Sequence, residues 1–247
     1  ANHFLAVDVG DINGNGRDEI FVTNQVGDSL ESFALETRPK QKGFRYIWKD
    51  ANLYFRIIQP MGKRPILMSQ SPGYQDPFQG PIKRVLFKNG KYRQGPKLNT
   101  PDVYGTHFIL YGLTQQDLNE NGTTETIVLD NKYHLRVYSS NGRLVVKSSD
   151  YYGHDPRLIE VGVKEDIAGV VRQGEPVRFK GRLQFVKVGG SRFLLLPLNH
   201  NVGGGFLDRL VIVENSGLAL LRLTAEGFEK AYESSKQKGF LGTYRVI

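Results

Sequence analysis

At 247 residues the chain is long enough to bury a sizeable core, as one all-β domain or as two smaller ones. It has no apolar run long enough for a transmembrane helix and no cysteine, which excludes disulfides, thiolate metal sites and cysteine nucleophiles. The net charge of +8 suits anionic partners, but the Lys and Arg residues read as scattered along the whole length without a helical recognition pattern, so no specific nucleic-acid function is expected.

The first four residues, Ala1-Asn2-His3-Phe4, form neither a basic nor an apolar leader, so an export signal is absent or lies outside this sequence. Strand-like segments then recur. Residues 4–9 and 19–23 read as an inner strand pair, followed by a hairpin over 30–48 with Gly43 in its turn. In that hairpin Phe44, Tyr46 and Trp48 alternate with Arg45, Ile47 and Lys49, a period of two that predicts one buried face. The basic aromatic stretch 40–64 around it is read as such an outer strand, or as a stacking and charged surface for an acidic glycan or a protein.

A second inner pair, 55–59 and 65–69, is joined by Pro60-Met61-Gly62-Lys63-Arg64, and its hairpin over 84–93 turns at Asn89-Gly90. The third pair is 107–113 with 126–130, and its hairpin over 136–148 turns at Asn141-Gly142. Asn-Gly at both turns signals type I′ hairpins, which need positive φ at both central residues. The fourth pair is 184–188 with 193–197 or 210–214, and its hairpin over 220–232 turns at Gly227.

Four strands per period of this length indicate an all-β β-propeller of four-stranded antiparallel blades. The blades fall near 3–52, 53–98, 104–150 and 180–235, with an insertion at 150–182. Residues 239–247 resemble the opening strand of a further blade. The chain is therefore expected to be a single propeller or part of a larger one.

The most specific chemistry lies at Asp11-Ile12-Asn13-Gly14-Asn15-Gly16-Arg17-Asp18-Glu19. Oxygen-bearing side chains stand at positions 1, 3, 5 and 9, which aims Asp11, Asn13, Asn15 and Glu19 at one point, as a hard cation such as Ca2+ requires. Gly16 permits the sharp turn, and Arg17 would offer its carbonyl oxygen. A second copy runs from Asp117 through Asn119, Asn121, Gly122 and Thr123 to Glu125, with Glu120 where the first loop has glycine. Asn121-Gly122-Thr123 also matches a glycosylation sequon, but Asn121 is wanted as a ligand.

These loops resemble the FG-GAP/VCBS-repeat family, whose blades, like those of the integrin α-subunit head, carry a short calcium loop between their first two strands. The match is close over 9–22. The second loop departs at Glu120 and at Thr126, where an apolar residue is usual. The resemblance implies a calcium-binding propeller, secreted, surface-displayed or periplasmic, that binds a protein or glycan rather than acting as an enzyme. A lectin or glycan-active enzyme on the same scaffold is the alternative.

Two formal charges per loop imply weak affinity, on the order of 10⁻⁴ to 10⁻³ M, which suits a site filled outside the cytoplasm. No such site is expected at 198–208, read as the equivalent connection of the last blade, and Gly203-Gly204-Gly205 within it is read as a turn. His3, His107, His134, His154 and His200 show no zinc-type spacing and are read as surface or packing residues.

Overall fold

The computed structural model describes residues 2–38, 42–73, 77–98, 108–153, 155–159, 165–167, 170–172, 177–201, 212–224, 227–242 and 244. The first blade holds β1 (Asn2–Gly10), β2 (Glu19–Val26), the short β3 (Ser29–Leu30), β4 (Ser32–Thr37) and β5 (Phe44–Ala51), in spatial order β1-β2-β4-β5. The second holds β6 (Tyr54–Ile58), β7 (Ile66–Gln70), β8 (Ile82–Lys88) and β9 (Lys91–Lys97). The third holds β10 (Leu113–Gln116), β11 (Glu125–Leu129), β12 (Leu135–Tyr138) and β13 (Leu144–Lys147).

Within the 150–182 insertion, β14 (Leu158–Ile159) pairs with β17 (Val177–Arg178), and β15 (Glu165–Ile167) pairs with β16 (Val170–Arg172). The fourth blade holds β18 (Gln184–Val188), β19 (Ser191–Asn201), β20 (Val213–Leu223) and β21 (Phe228–Glu233), with β22 (Gln237–Lys238) pairing β20. The fold class is thus all-β, and its four antiparallel sheets are the blades of a β-propeller. A 3-10 turn, Leu110–Gly112, interrupts the strands.

The chain divides into two compact units. One comprises Ala1–Ile58, Lys63–Leu98 and Ile159–Val177; the other comprises Gln59–Gly62, Asn99–Leu158 and Arg178–Ile247. In the first, blade one presses Phe21 and Ala34 onto Phe55, Ile57, Leu67, Val85 and Tyr92 of blade two. Trp48 stacks on Tyr92 with centroids 5.8 Å apart, and Phe21 meets Tyr92 edge-on at 5.5 Å. In the second, Ile127, Leu129, Leu135 and Val137 of blade three pack on Leu194, Leu196, Ala219 and Leu221 of blade four. Each such face is apolar because strand side chains alternate and a blade hides its faces against neighbouring sheets.

Several local expectations are corrected. The third blade starts at Leu113, not near 107, because Leu110–Gly112 coils under Lys180; a Cβ on Gly112 would lie 2.7 Å from the Lys180 Cβ. His107 and His154 lie outside the described residues. The Asn89-Gly90 turn has positive φ at both residues, 52° and 73°, as type I′ demands. At Asn141-Gly142 only Gly142 is left-handed; its N–H donates to Ser139 O, and Ser139 N–H donates to Arg143 O, a type I turn with a bulge.

The alternation in β5 does not give a buried face. A bulge between Ala34 and Leu35 leaves Ile47 without a partner in the register, so Ile47 and Trp48 both turn to the core while Phe44 and Tyr46 stay about half exposed. In the fourth blade, Gly189-Gly190 (φ 54° and 84°) joins the first two strands, so 184–188 pairs with the strand that holds 193–197, and Val213 and Glu214 open the third strand. Of segment 198–208, residues 198–201 are the end of the second strand, paired to the third, and not a loop; residues 202–208, with Gly203-Gly204-Gly205, lie outside the described residues.

Residues 239–242 and 244 form no strand. Side chains pin them instead: Asn199 bonds Leu241 in both directions, and the Tyr244 hydroxyl donates to Leu195 O at 2.6 Å.

Candidate functional site

Both predicted loops join the first two strands of their blades, β1 to β2 and β10 to β11, and they share one hydrogen-bond skeleton. The N–H at position 2 donates to the position 9 carboxylate, Ile12 to Glu19 Oε2 and Leu118 to Glu125 Oε2, each at 2.8 Å. The N–H at position 6 donates to the position 1 carboxylate, Gly16 to Asp11 Oδ2 and Gly122 to Asp117 Oδ2, each at 2.9 Å. The amide oxygens at positions 3 and 5 accept the N–H two residues on, Asn13 from Asn15 and Asn15 from Arg17, and likewise Asn119 from Asn121 and Asn121 from Thr123. These are Asx-type turns, which explains why Asn recurs at that spacing.

The backbone follows the same path in both copies. Positions 4 and 6 are left-handed in each: Gly14 (φ 77°) and Gly16 (φ 81°), Glu120 (φ 58°) and Gly122 (φ 86°). Glu120 thus takes a conformation that suits glycine, and its carboxylate meets Arg192 at 3.3 Å. Arg192 also donates to the carbonyl oxygens of Asp117 and Leu118, holding loop two against blade four.

The surroundings differ. At loop one, β4 brings Glu36 opposite Glu19, and both are almost fully buried. Glu36 accepts from Asn15 Nδ2 at 2.6 Å and Asn13 Nδ2 at 3.2 Å, and it pairs with Arg45 at 2.7 Å and Arg17 at 3.2 Å. Burial alone would raise its pKa, but Arg45, the two amides and Arg17 bring it down to about 2. Burial raises the pKa of Glu19 against the lowering effect of the Ile12 N–H; Asn13 Nδ2 also donates to Glu19.

Tyr92 closes the floor. Its buried hydroxyl lies near Glu19 but outside hydrogen-bond geometry, and burial with the Glu19 charge raises its pKa. Glu36, Arg45 and Tyr92 were not identified as site residues in the sequence. The available signal was a glutamate on the inward-facing side of β4, at a position where the strand otherwise buries Ser32 and Ala34.

Loop two has no acidic counterpart of Glu36. The strand position following Tyr138 is Ser139, whose hydroxyl bonds Asn141 and Arg143. Here Asp117 Oδ1 is buried without a hydrogen-bond partner.

Carboxylate, amide and carbonyl oxygens are the donors of a hard cation, and the orphaned Asp117 oxygen fits one at loop two. At loop one the inward places are taken by the Asn13 and Asn15 NH2 groups, which would have to turn over. Among the described residues no three His, Asp or Glu side chains converge as a ready metal cluster, so a bound ion would depend on amide and main-chain oxygens as well. No protein-family model matches the chain, and no curated protein matches it.

Proposed function

We propose that the chain is a calcium-stabilised β-propeller that works outside the cytoplasm as a non-enzymatic module presenting its surface to a protein or glycan partner. The observation that carries this reading is the shared skeleton of the two loops, with side-chain oxygens at positions 1, 3, 5 and 9 in each. Asp11, Asn13, Asn15, Glu19 and the Arg17 carbonyl would serve one ion; Asp117, Asn119, Asn121, Glu125 and the Thr123 carbonyl would serve the other. The ion would supply stability by binding only the folded state, tying the first strand of a blade to the second.

Loop two is the stronger of the pair, because Asp117 Oδ1 lacks a partner, whereas at loop one Glu19 already accepts from Asn13 and the adjoining Glu36 holds the Asn15 amide and pairs with Arg17 and Arg45. Calorimetry and thermal melting in chelator and in millimolar calcium test this. Calcium should raise the melting temperature, Asp117→Ala should remove more of the gain than Asp11→Ala, and an unchanged melting temperature in calcium would overturn the metal reading and the extracytoplasmic setting argued from it.

A further inference from the structure

The positive charge is not evenly spread along the chain, although the basic residues taken together read as scattered. Residues 82–97, the β8–β9 hairpin, contain Lys83, Arg84, Lys88, Lys91, Arg93 and Lys97 and no acidic residue, which equals six of the chain's eight net positive charges. Among the described residues none of these six side chains forms an ion pair.

Alternation sorts them. Val85 and Tyr92 turn inward and are buried, so Arg84, Lys88, Lys91 and Arg93 share the opposite face with Leu86, and all four bases are exposed. Lys88 lies directly across from Lys91, a like-charge pair that costs stability and that nothing in the fold requires. The type I′ turn at Asn89-Gly90 holds both at a rigid tip.

We infer that this face is a binding stripe for an acidic polysaccharide, one bearing sulfate or carboxylate groups along its length. Cations about 5 Å apart across the hairpin and about 7 Å apart along each strand can meet a chain of regularly spaced anions. Nucleic acid fits less well. The apolar residue of the stripe is Leu86, which gives bases no ring to stack on. Nor is the hairpin a free ribbon for the major groove, because β8 is also paired to β7 within a four-stranded sheet. The inference deepens the partner proposed above and is independent of calcium.

The test uses size-defined heparin oligosaccharide in chelator at about 0.15 M salt, with the intact chain, an Arg84→Gln/Lys88→Gln/Lys91→Gln/Arg93→Gln variant, and a control of equal charge, Lys147→Gln/Lys187→Gln/Lys236→Gln/Lys238→Gln. The stripe variant should lose at least about tenfold in affinity and the control less than about twofold, with the control melting as the parent does and the stripe variant, relieved of the Lys88–Lys91 repulsion, melting no lower. An equal loss in both variants, or no binding by the parent, overturns the stripe. Tighter, stripe-dependent binding of single-stranded or duplex DNA than of heparin overturns the polysaccharide assignment. The calcium reading is judged separately, by melting temperature.

Discussion

Lys180 offers a direct test of the packing in the second unit. It is 4% exposed, its ammonium stands 3.9 Å from the Tyr133 ring centre, and the charges of Asp130 and Asp155 favour its protonated form while that of Arg178 opposes it. Burial outweighs these carboxylates and lowers its pKa from 10.5 to about 8. Between those values the unfolded chain holds a proton that the folded chain has released, so stability rises with pH. The full span corresponds to about 3 kcal/mol, of which about 2 kcal/mol falls between about pH 7.5 and 9.5, before tyrosines ionise.

Lys180→Met keeps the buried stem and removes the charge. It strands no carboxylate, since Asp130 keeps Arg136 and the N–H groups of Lys132 and His134, and Asp155 keeps Arg157. Urea unfolding across this pH window should show the rise in the parent and a flat profile in the variant. A variant that rises as steeply as the parent would refute the assignment of this limb to Lys180.

Glu36 acts at the other end of the pH scale. With a folded pKa of about 2 it contributes stability that is complete above the unfolded value of 4.5 and is lost as pH falls through about 2, roughly 3 kcal/mol in all. Glu19, raised by burial, works in the opposite sense, so the reading is the difference between parent and Glu36→Gln, whose stability should fall less on acidification. Glu120→Gly should raise stability by about 1 kcal/mol in urea unfolding, because φ 58° is strained for glutamate and its carboxylate is largely exposed. Gly80→Ala should destabilise by about 1–3 kcal/mol, since the new Cβ would lie 2.4 Å from the Ser71 carbonyl oxygen; an unchanged melting temperature would show that this turn yields freely.

The strand order, the four sheets and the position of both oxygen-rich loops were legible in the sequence. Period-two alternation, Asn-Gly turns and the repeated Asp-x-Asn-x-Asn-Gly spacing are local signals, set by pleat geometry and by which residues tolerate positive φ. The start of the third blade was missed for a tertiary reason: residues 108–112 are apolar enough for a strand, but close packing of Gly112 on Lys180 favours a coil. Likewise, the spacing of β5 could not reveal the bulge that moves Ile47 and Trp48 together.

Register decided the rest. Only strand pairing places Glu36 opposite Glu19, brings Arg45 and Tyr92 to the first loop and leaves Asp117 Oδ1 without a partner, because such neighbours are far apart in sequence. The sequence by itself determined which residues could form loops and strands, since those preferences belong to short stretches of chain. The tertiary structure decided which loop keeps an unsatisfied oxygen and which face collects the bare cations, because burial and cross-strand pairing exist only once distant strands meet.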